Sequence, residues 1–150
     1  MKKIISLIIV FIGVSLTINA QVSNEKKTEA VPISNGCGSE SSKASQVGAA
    51  IAKPIDAAIT GTSIKTQNAS CDQHDKDYYN GVDKEKADKD FQKRSPIMGT
   101  AVIQAKETSN ESYKNAQKDR ETSNALQSTW EKENQQCLDK DNYRIEPKKD

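Results

Sequence analysis

The chain begins with an apolar segment that differs from the polar sequence after it. Lys2 and Lys3 precede a mostly apolar run from Ile4 to Ile18, and the small residue Ala20 closes the segment. This order is typical of a secretory signal peptide. The apolar run, about 15 residues, is short for a membrane span, which needs ~20. We therefore expect cleavage after Ala20 and a secreted protein, extracellular or periplasmic, with an uncleaved membrane anchor as the alternative.

The middle of the chain predicts a polar helix that ends at a glycine. Cys71, His74 and Tyr78 stand at positions i, i+3 and i+7, which share one face of a helix. The sequence Asn80-Gly81 ends this helix, because glycine favours the left-handed geometry of a helix C-terminus. The only histidine of the chain is thus predicted to lie on a helix face together with a tyrosine.

A second helix is predicted directly after this turn. Asp83 can cap it, and it runs from Lys84 to Arg94. His74 lies seven residues before Gly81 and Asp88 lies seven residues after it. In an antiparallel helix hairpin these two positions come level, so the pattern places an imidazole beside a carboxylate. Polar groups on facing helix surfaces are costly unless paired, which marks a candidate site.

Apolar residues at helical spacing continue on both sides of the hairpin. Ile51, Ile55 and Ile59 are four residues apart, which predicts a short helix or a loop packed by these side chains. Further apolar positions follow around Ile97 and around Trp130. The pattern as a whole predicts a mainly α fold with thin seams between polar helices.

Charge and length restrict the class of protein. The full chain has 22 basic and 21 acidic residues, so loss of the two signal-peptide lysines leaves 20 and 21, a net charge of −1. Mixed signs near balance argue against a nucleic-acid partner, which requires a basic face. The length allows one domain, which we place at 35–138 between a flexible lead-in at 21–34 and a flexible tail at 139–150.

Three motifs occur in order along the chain. They are Asn35-Gly36-Cys37-Gly38-Ser39, then Cys71-x-x-His74-Asp75-x-x-Tyr78 with Ala87-Asp88-x-x-Phe91, and finally Tyr113-x-x-Ala116-Gln117. The first resembles the calcium-binding loop of the secreted phospholipase A2 family, and the second resembles the active-site helix pair of that family. The third is similar to a tail motif of its bacterial members. The resemblance covers about residues 35–118. It implies a small, disulfide-linked helical domain with two antiparallel active-site helices and an N-terminal calcium loop.

The resemblance implies calcium as the cofactor. The ligands would be the backbone carbonyls of Gly36, Gly38 and Glu40, together with the carboxylate of Asp75. Calcium takes six to eight oxygen ligands and accepts backbone carbonyls readily. The family usually has a glycine at the position of Glu40, so this chain departs from the pattern at the third carbonyl.

The resemblance also implies the catalytic roles. His74 would take a proton from water, Asp88 would orient the imidazole, and Tyr78 would donate a hydrogen bond to Asp88. The reaction would be hydrolysis of the sn-2 acyl ester of glycerophospholipids, with calcium stabilising the oxyanion. The expected partner is the surface of a phospholipid membrane or micelle, and the protein is expected to be a monomer.

The three cysteines of an exported chain allow one disulfide bond and leave one cysteine over. By resemblance, Cys37 of the loop pairs with Cys71 of the helix, which ties the calcium loop to the helix that carries Asp75. Cys137 has no counterpart in this scheme. We expect it to be a buried free thiol, with intermolecular pairing as the alternative.

Other interpretations of the same residues remain. A calcium EF-hand beginning at Asp75 is rejected, because Gly81 falls at position seven and Lys86 at position twelve. A zinc site at His74 lacks a second histidine or a thiol pair. Two alternatives stay open: a calcium- or lipid-binding protein or effector with weak or no catalysis, and a His74–Asp88 pair that is only structural.

Overall fold

The computed structural model describes residues 27–34 and 43–148. Within this part of the chain the fold is mainly helical, with a small antiparallel sheet. The helices are α1 (Lys43–Thr60), α2 (Ile64–Tyr79), α3 (Lys84–Arg94), α4 (Pro96–Gln104) and α5 (Lys106–Asn134), and the strands are β1 (Thr28–Pro32) and β2 (Tyr143–Pro147). The prediction of a mainly α fold is confirmed.

Local signals set the ends of α2 and α3. The Ser63 hydroxyl caps α2 by accepting a hydrogen bond from the backbone N–H of Thr66, 3.1 Å away. Gly81 follows α2 with φ of 76°, the left-handed conformation that glycine adopts without strain. The Asp83 carboxylate then caps α3 by accepting from the N–H of Lys86 at 3.0 Å. The predicted turn and cap are both confirmed.

The α2 and α3 helices run antiparallel, and polar contacts join them at the end far from the turn. Gln67, near the start of α2, is 1% exposed, and its Oε1 accepts a hydrogen bond from Ser95 Oγ at 2.6 Å. Gln67 Nε2 donates to the carbonyl of Arg94 at 3.3 Å. A residue at the beginning of one helix thus contacts the end of the other, which is the register that the hairpin prediction requires.

The short helix α4 is capped by a residue of α1. Its own N-cap residue, Ser95, makes no side-chain capping bond. Instead Asp56, 0% exposed, accepts hydrogen bonds from the backbone N–H groups of Ile97 at 2.6 Å and Met98 at 3.0 Å. A carboxylate satisfies the orphan donors of a helix N-terminus and complements its dipole. Asp56 therefore joins α1 to α4.

The long helix α5 supports the turn of the hairpin. Gln117 donates a hydrogen bond to the carbonyl of Tyr78, and Arg120 Nη1 donates to the carbonyl of Asn80 at 2.8 Å. These are carbonyls at the C-terminus of α2, which have no partner within their own helix. Trp130, further along α5, is buried at 8% exposure.

The two strands lie at opposite ends of the described chain. Thr28 pairs with Pro147, Ala30 with Ile145, and Pro32 with Tyr143, in antiparallel register. Ile145 is 0% exposed, and its N–H donates to Ser123 Oγ on α5 at 2.8 Å. Parts of the segments predicted to be flexible, 21–34 and 139–150, are therefore paired strands. Their order depends on a partner more than 100 residues away, which local patterns do not reveal.

The core is small. Cys71, Phe91 and Met98 form a buried cluster, against which Ala52 and Val102 pack. The isoleucines of α1 do not join it: Ile51, Ile55 and Ile59 are largely exposed, so the prediction that they pack the segment is wrong. The segment itself is a helix, which was one of the two structures predicted for it. None of the described helices is long and apolar enough to cross a membrane.

Candidate functional site

His74 lies in the middle of α2, 7% exposed, with its ring oriented by three neighbours. Nε2 is 2.9 Å from Asp88 Oδ1 on α3. The ring stacks on Phe91, with centroids 4.5 Å apart and planes at 24°, and lies against the tilted ring of Tyr78, with centroids 4.3 Å apart. Packing on two aromatic rings and one hydrogen bond leave the imidazole a single orientation.

Asp88 is the centre of the hydrogen-bond network. It is 4% exposed, and its Oδ1 accepts a hydrogen bond from the Tyr78 hydroxyl at 2.5 Å as well as facing His74. Its Oδ2 accepts from Lys84 Nζ at 2.6 Å. The structure thus brings together the three predicted catalytic residues and adds Lys84, which sequence reasoning missed. The signal was present: Lys84 and Asp88 are four residues apart on a predicted helix, the spacing at which side chains meet.

The environment sets the protonation states of this network. Burial lowers the pKa of His74 below its ordinary value, and this outweighs the opposing effect of the hydrogen bond with Asp88. Burial raises the pKa of Asp88, but hydrogen bonds from Lys84, Tyr78 and His74 outweigh it and leave that pKa below the ordinary value. Burial, with the adjacent Asp88, raises the pKa of Tyr78. At neutral pH the network therefore contains a neutral imidazole, an ionised carboxylate and a protonated phenol.

These protonation states determine the tautomer of His74. An ionised carboxylate only accepts hydrogen bonds, so Nε2 must carry the proton that faces Asp88. Nδ1 is then the basic nitrogen, and no described residue donates a hydrogen bond to it. A neutral imidazole whose tautomer is held by a carboxylate is the usual arrangement of a histidine general base.

The His74 side chain lines a cavity of about 790 Å³, which lies between the helices and reaches the sheet. Toward α1 and α4 its walls are mostly apolar, formed among others by Gly48, Ala49, Ala52, Met98, Ala101 and Val102. Toward α5 and β2 they are more polar, formed by Thr108, Ser109, Ser112, Asn115, Asp119 and Arg144. A cavity of this size with one apolar and one polar end fits an amphiphilic ligand.

The third sequence motif lies beside the network. Tyr113 packs edge-on against the ring of Tyr78, with centroids 5.1 Å apart. Ala116 lines the cavity, and Gln117 bonds the backbone of Tyr78. The motif on α5 therefore holds the residue that donates to Asp88.

Asp75, the predicted metal ligand, also lines the cavity. Ser34, the last described residue before the predicted calcium loop, donates a hydrogen bond to Asp72 Oδ1 at 2.5 Å, and its hydroxyl is 3.4 Å from Asp75 Oδ2. The chain therefore enters the predicted loop directly beside the Asp75 carboxylate. Gly36, Gly38 and Glu40 lie outside the described residues.

Within residues 27–34 and 43–148, no three histidine, cysteine or acidic side chains are grouped so as to hold a metal ion. A metal at Asp75 would therefore need oxygen ligands of another kind, such as the backbone carbonyls of the predicted loop. Carboxylate oxygen beside the start of a loop rich in glycine is a donor chemistry that suits calcium, which accepts backbone carbonyls. The donor type fits calcium, and the number of ligands rests on the predicted loop.

The cysteines differ in their surroundings. Cys71 is disulfide-bonded and 4% exposed, and its sulfur lies 4.0 Å from Met98 Sδ. Its predicted partner, Cys37, lies outside the described residues, so the pairing of the two stays a prediction. Cys137 is a free cysteine and is exposed, so the expectation that it is buried is wrong. It follows the end of α5, where the chain leaves the helix for the sheet.

Comparison of the chain with protein-family models, with curated proteins and with solved structures gives no match.

Proposed function

We propose that this protein is a secreted, calcium-dependent phospholipase A2-like hydrolase that cleaves the sn-2 acyl ester of glycerophospholipids. The observation that carries the proposal is the buried His74–Asp88 pair, in which the His74 side chain lines the cavity. Burial lowers the pKa of His74 and so favours the neutral imidazole, while the Asp88 carboxylate commits Nε2, which leaves Nδ1 as the base. This is the requirement for activating a water molecule without a covalent nucleophile.

The residues of the chain account for each proton transfer. Nδ1 of His74 accepts a proton from water as the water oxygen attacks the ester carbonyl. The imidazolium that forms is stabilised by the Asp88 carboxylate, 2.9 Å from Nε2. Nδ1 then returns the proton to the leaving alkoxide when the tetrahedral intermediate collapses, which releases a fatty acid and a lysophospholipid. Tyr78 holds Asp88 in place through the 2.5 Å hydrogen bond and stays protonated throughout.

The cavity supports a lipid substrate. Small side chains such as Ala52 and Ala101 leave an apolar space beside His74 for an acyl chain, and Arg144 lies at the polar end. In a glycerophospholipid the acyl chain and the head group lie on opposite sides of the ester carbonyl that reacts. The apolar end of the cavity would take the acyl chain and the polar end the head group. The His74 side chain lines the same cavity.

Calcium, when bound, would polarise the ester carbonyl and balance the charge of the substrate phosphate. Asp75 would supply its carboxylate to the ion, with Gly36, Gly38 and Glu40 contributing carbonyls from the predicted loop. A disulfide bond between Cys37 and Cys71 would hold that loop against α2. The metal, the loop and the bridge are parts of one proposal.

One observation favours the alternative, a phospholipase A2-like calcium- or lipid-binding protein with weak catalysis. Lys84 Nζ contacts Asp88 Oδ2 at 2.6 Å, and its positive charge offsets part of the charge that Asp88 can offer to an imidazolium. The same contact also holds the Asp88 carboxylate in its orientation toward His74.

The decisive assay measures fatty-acid release from mixed phospholipid micelles with calcium and with a chelator. The native protein is expected to turn over lipid only with calcium. His74→Gln is expected to bind calcium as the native protein does and to release no fatty acid, because glutamine forms hydrogen bonds but accepts no proton. Calcium and lipid binding without turnover in the native protein would support the alternative. Turnover that survives His74→Gln would contradict the roles of His74 as the base and of Asp88 as its support.

A further inference from the structure

Polar residues of α5 form a row along the wall of the cavity. The row consists of Thr108, Ser112, Asn115 and Asp119, which are spaced so that they share one face of the helix, and all of them line the cavity. We call these residues the polar row. It rises about 16 Å along α5 and ends at Asp119, where the cavity reaches β2. The polar row therefore leads from the start of α5 to the sheet.

Asp119 lies where this cavity meets a smaller one. The smaller cavity, of about 440 Å³, is formed by residues of α5 and β2. Asp119 and Arg144 line both cavities. Asp119 is also half-buried. It is therefore a cavity residue and does not belong to the open surface of α5.

The charge of Asp119 has no partner in the part of the chain that the structure describes, where this residue forms no hydrogen bond or ion pair. Arg144 beside it is committed elsewhere. Its Nε and Nη2 lie 2.7 and 2.6 Å from Glu146 Oε1, and its Nη1 donates to the carbonyl of Ile33 at 3.2 Å. A half-buried carboxylate without a partner costs free energy, which a bound cation would recover.

The charges around the larger cavity point the same way. The acidic residues that line it within the described chain are Asp75 and Asp119, and Arg144 also lines it. Glu146 balances the charge of Arg144, and the proposed calcium ion would take up that of Asp75. The charge of Asp119 is left over, and it favours a positive group at the polar end of the cavity.

We propose that Asp119 binds the primary ammonium of a lipid head group, so that the protein selects phosphatidylethanolamine among glycerophospholipids. The inference rests on the proposed lipid hydrolysis and names its substrate class. The ammonium would donate hydrogen bonds to the Asp119 carboxylate. Hydrogen bonds between two charged groups are roughly twice as strong as those between neutral groups.

The contacts at this end of the cavity suit a head group that carries a phosphate and an ammonium together. Arg144 Nη1 donates to the carbonyl of Ile33, and the hydroxyl of the next residue, Ser34, lies 3.4 Å from Asp75 Oδ2. The proposed calcium ligand Asp75 is thus linked through residues 33–34 to Arg144, which lines both cavities together with Asp119. A phosphate near Asp75 and an ammonium near Asp119 would lie at the same end of the cavity.

The residues at the polar end favour a primary ammonium over the quaternary ammonium of choline. A quaternary group has no N–H to donate and is typically bound by aromatic rings. The residues of α5 and β2 that line the larger cavity include no aromatic side chain. A primary ammonium has three N–H donors, which oxygens such as those of Asn115 and Asp119 accept.

Competition between two lipids in the same micelle tests the selection. Phosphatidylethanolamine is mixed with phosphatidylglycerol, or with phosphatidylcholine, in neutral-detergent micelles with calcium, and the two products give the ratio of the kcat/KM values. Both lipids share one surface, so binding of the protein to that surface cancels in the ratio. The native protein is expected to prefer phosphatidylethanolamine by about tenfold in each mixture, the effect of one hydrogen bond to a charged group.

Two variants locate the preference. Asp119→Asn keeps the shape of the side chain and removes its charge, so it is expected to lower the preference by about tenfold. Glu121→Gln is the matched control, because it removes the same charge from an exposed position of α5 that lines neither cavity. It is expected to leave the preference as in the native protein.

A binding measurement separates this inference from the proposed hydrolysis. Short-chain diether analogues of these lipids dissolve as monomers and contain no ester, so calorimetry in the presence of calcium measures their binding alone. The native protein is expected to bind the phosphatidylethanolamine analogue about tenfold more tightly than the phosphatidylglycerol analogue. Asp119→Asn is expected to bind the two alike.

The outcomes are distinct. A preference in turnover or in binding that Asp119→Asn removes and Glu121→Gln keeps would support the inference, and binding would do so even if the native protein released no fatty acid. Turnover without a preference would overturn the inference and leave the proposed hydrolysis standing. A preference that survives Asp119→Asn, one that Glu121→Gln also removes, or equal use of phosphatidylethanolamine and phosphatidylcholine would overturn it as well.

Discussion

The α2–α3 hairpin and helix α1 distribute polar and apolar side chains in opposite ways. The hairpin buries polar residues, among them Gln67, His74 and Asp88, each with a hydrogen-bonded partner. Helix α1 exposes its large aliphatic side chains, such as Ile51 at 61%. Burying a polar group is costly unless it is paired, so the hairpin maintains its network at the expense of apolar packing.

The hairpin is therefore arranged for something other than stability alone. A buried network holds His74 in one orientation and one tautomer, which a chemical role requires. The exposed isoleucines of α1 contribute little to the stability of the fold, because they remain in contact with water. Changes in the hairpin are therefore expected to alter chemistry and stability, and changes at the exposed isoleucines of α1 to alter either one little.

The largest effect is expected at the hairpin, in the rate of lipid hydrolysis. His74→Gln should reduce turnover by about 10²–10⁴-fold, the usual contribution of a general base. Asp88→Asn should cost less because the base remains, and Tyr78→Phe least because it only loosens Asp88. Initial rates on mixed micelles measure the order. A Tyr78→Phe enzyme slower than Asp88→Asn would show that these two roles are assigned wrongly.

The next largest effect is expected in the free energy of unfolding, where a buried and an exposed isoleucine are compared. Ile145→Ala removes a side chain that is 0% exposed between β2 and α5, and should lower the free energy of unfolding by about 2–5 kcal/mol. Ile51→Ala removes one that is 61% exposed and should change it by less than about 0.5 kcal/mol. Urea denaturation measures both. Similar losses for the two variants would mean that the face of α1 is covered in the monomer.

A smaller loss is expected at the junction of α1 and α4. Asp56→Ala leaves the N–H groups of Ile97 and Met98 without their acceptor, which should cost about 1–3 kcal/mol in the free energy of unfolding. Asp56→Asn keeps one acceptor oxygen and should cost less. Urea denaturation monitored by circular dichroism gives both values, and equal stability of Asp56→Ala and the native protein would contradict the capping role.

The smallest effect is the pH dependence of a single group. Burial lowers the pKa of His74 below 6.5, so below that pH the unfolded chain binds more protons at this residue than the folded chain does. Stability is therefore expected to fall as the pH drops from about 6.5 toward the folded-state pKa. Denaturation curves of the native protein and His74→Gln between pH 7.5 and about 5 should diverge in slope, and parallel curves would contradict the shift.

Much of the hairpin could be predicted because its signals are local. Asn80-Gly81 and Asp83 mark a turn and a cap within a few residues, and helical spacing then sets which side chains face the seam. With the turn located, symmetry about it placed His74 opposite Asp88. Lys84 was within reach of the same reasoning, since its distance from Asp88 along α3 is also local.

Some contacts could not be predicted because they join distant parts of the chain. The pairing of Thr28–Pro32 with Tyr143–Pro147 and the capping of α4 by Asp56 both depend on how the helices pack. The exposure of the α1 isoleucines is of the same kind. Their spacing describes an apolar face, but which face turns inward is decided by the neighbours. Here Ala49 and Ala52 face the cavity, while Asp56 on the same side is fixed by α4.

The sequence by itself therefore determined the helix pair, its turn and the residues that meet across it, because each depends on short-range spacing and backbone preference. The tertiary structure alone decided how the two ends of the described chain pair, which side of α1 is exposed and which residues of α5 and β2 line the cavity. These features arise from contacts between residues far apart in the chain. The energies of such contacts depend on the whole packing arrangement and leave no local pattern in the sequence.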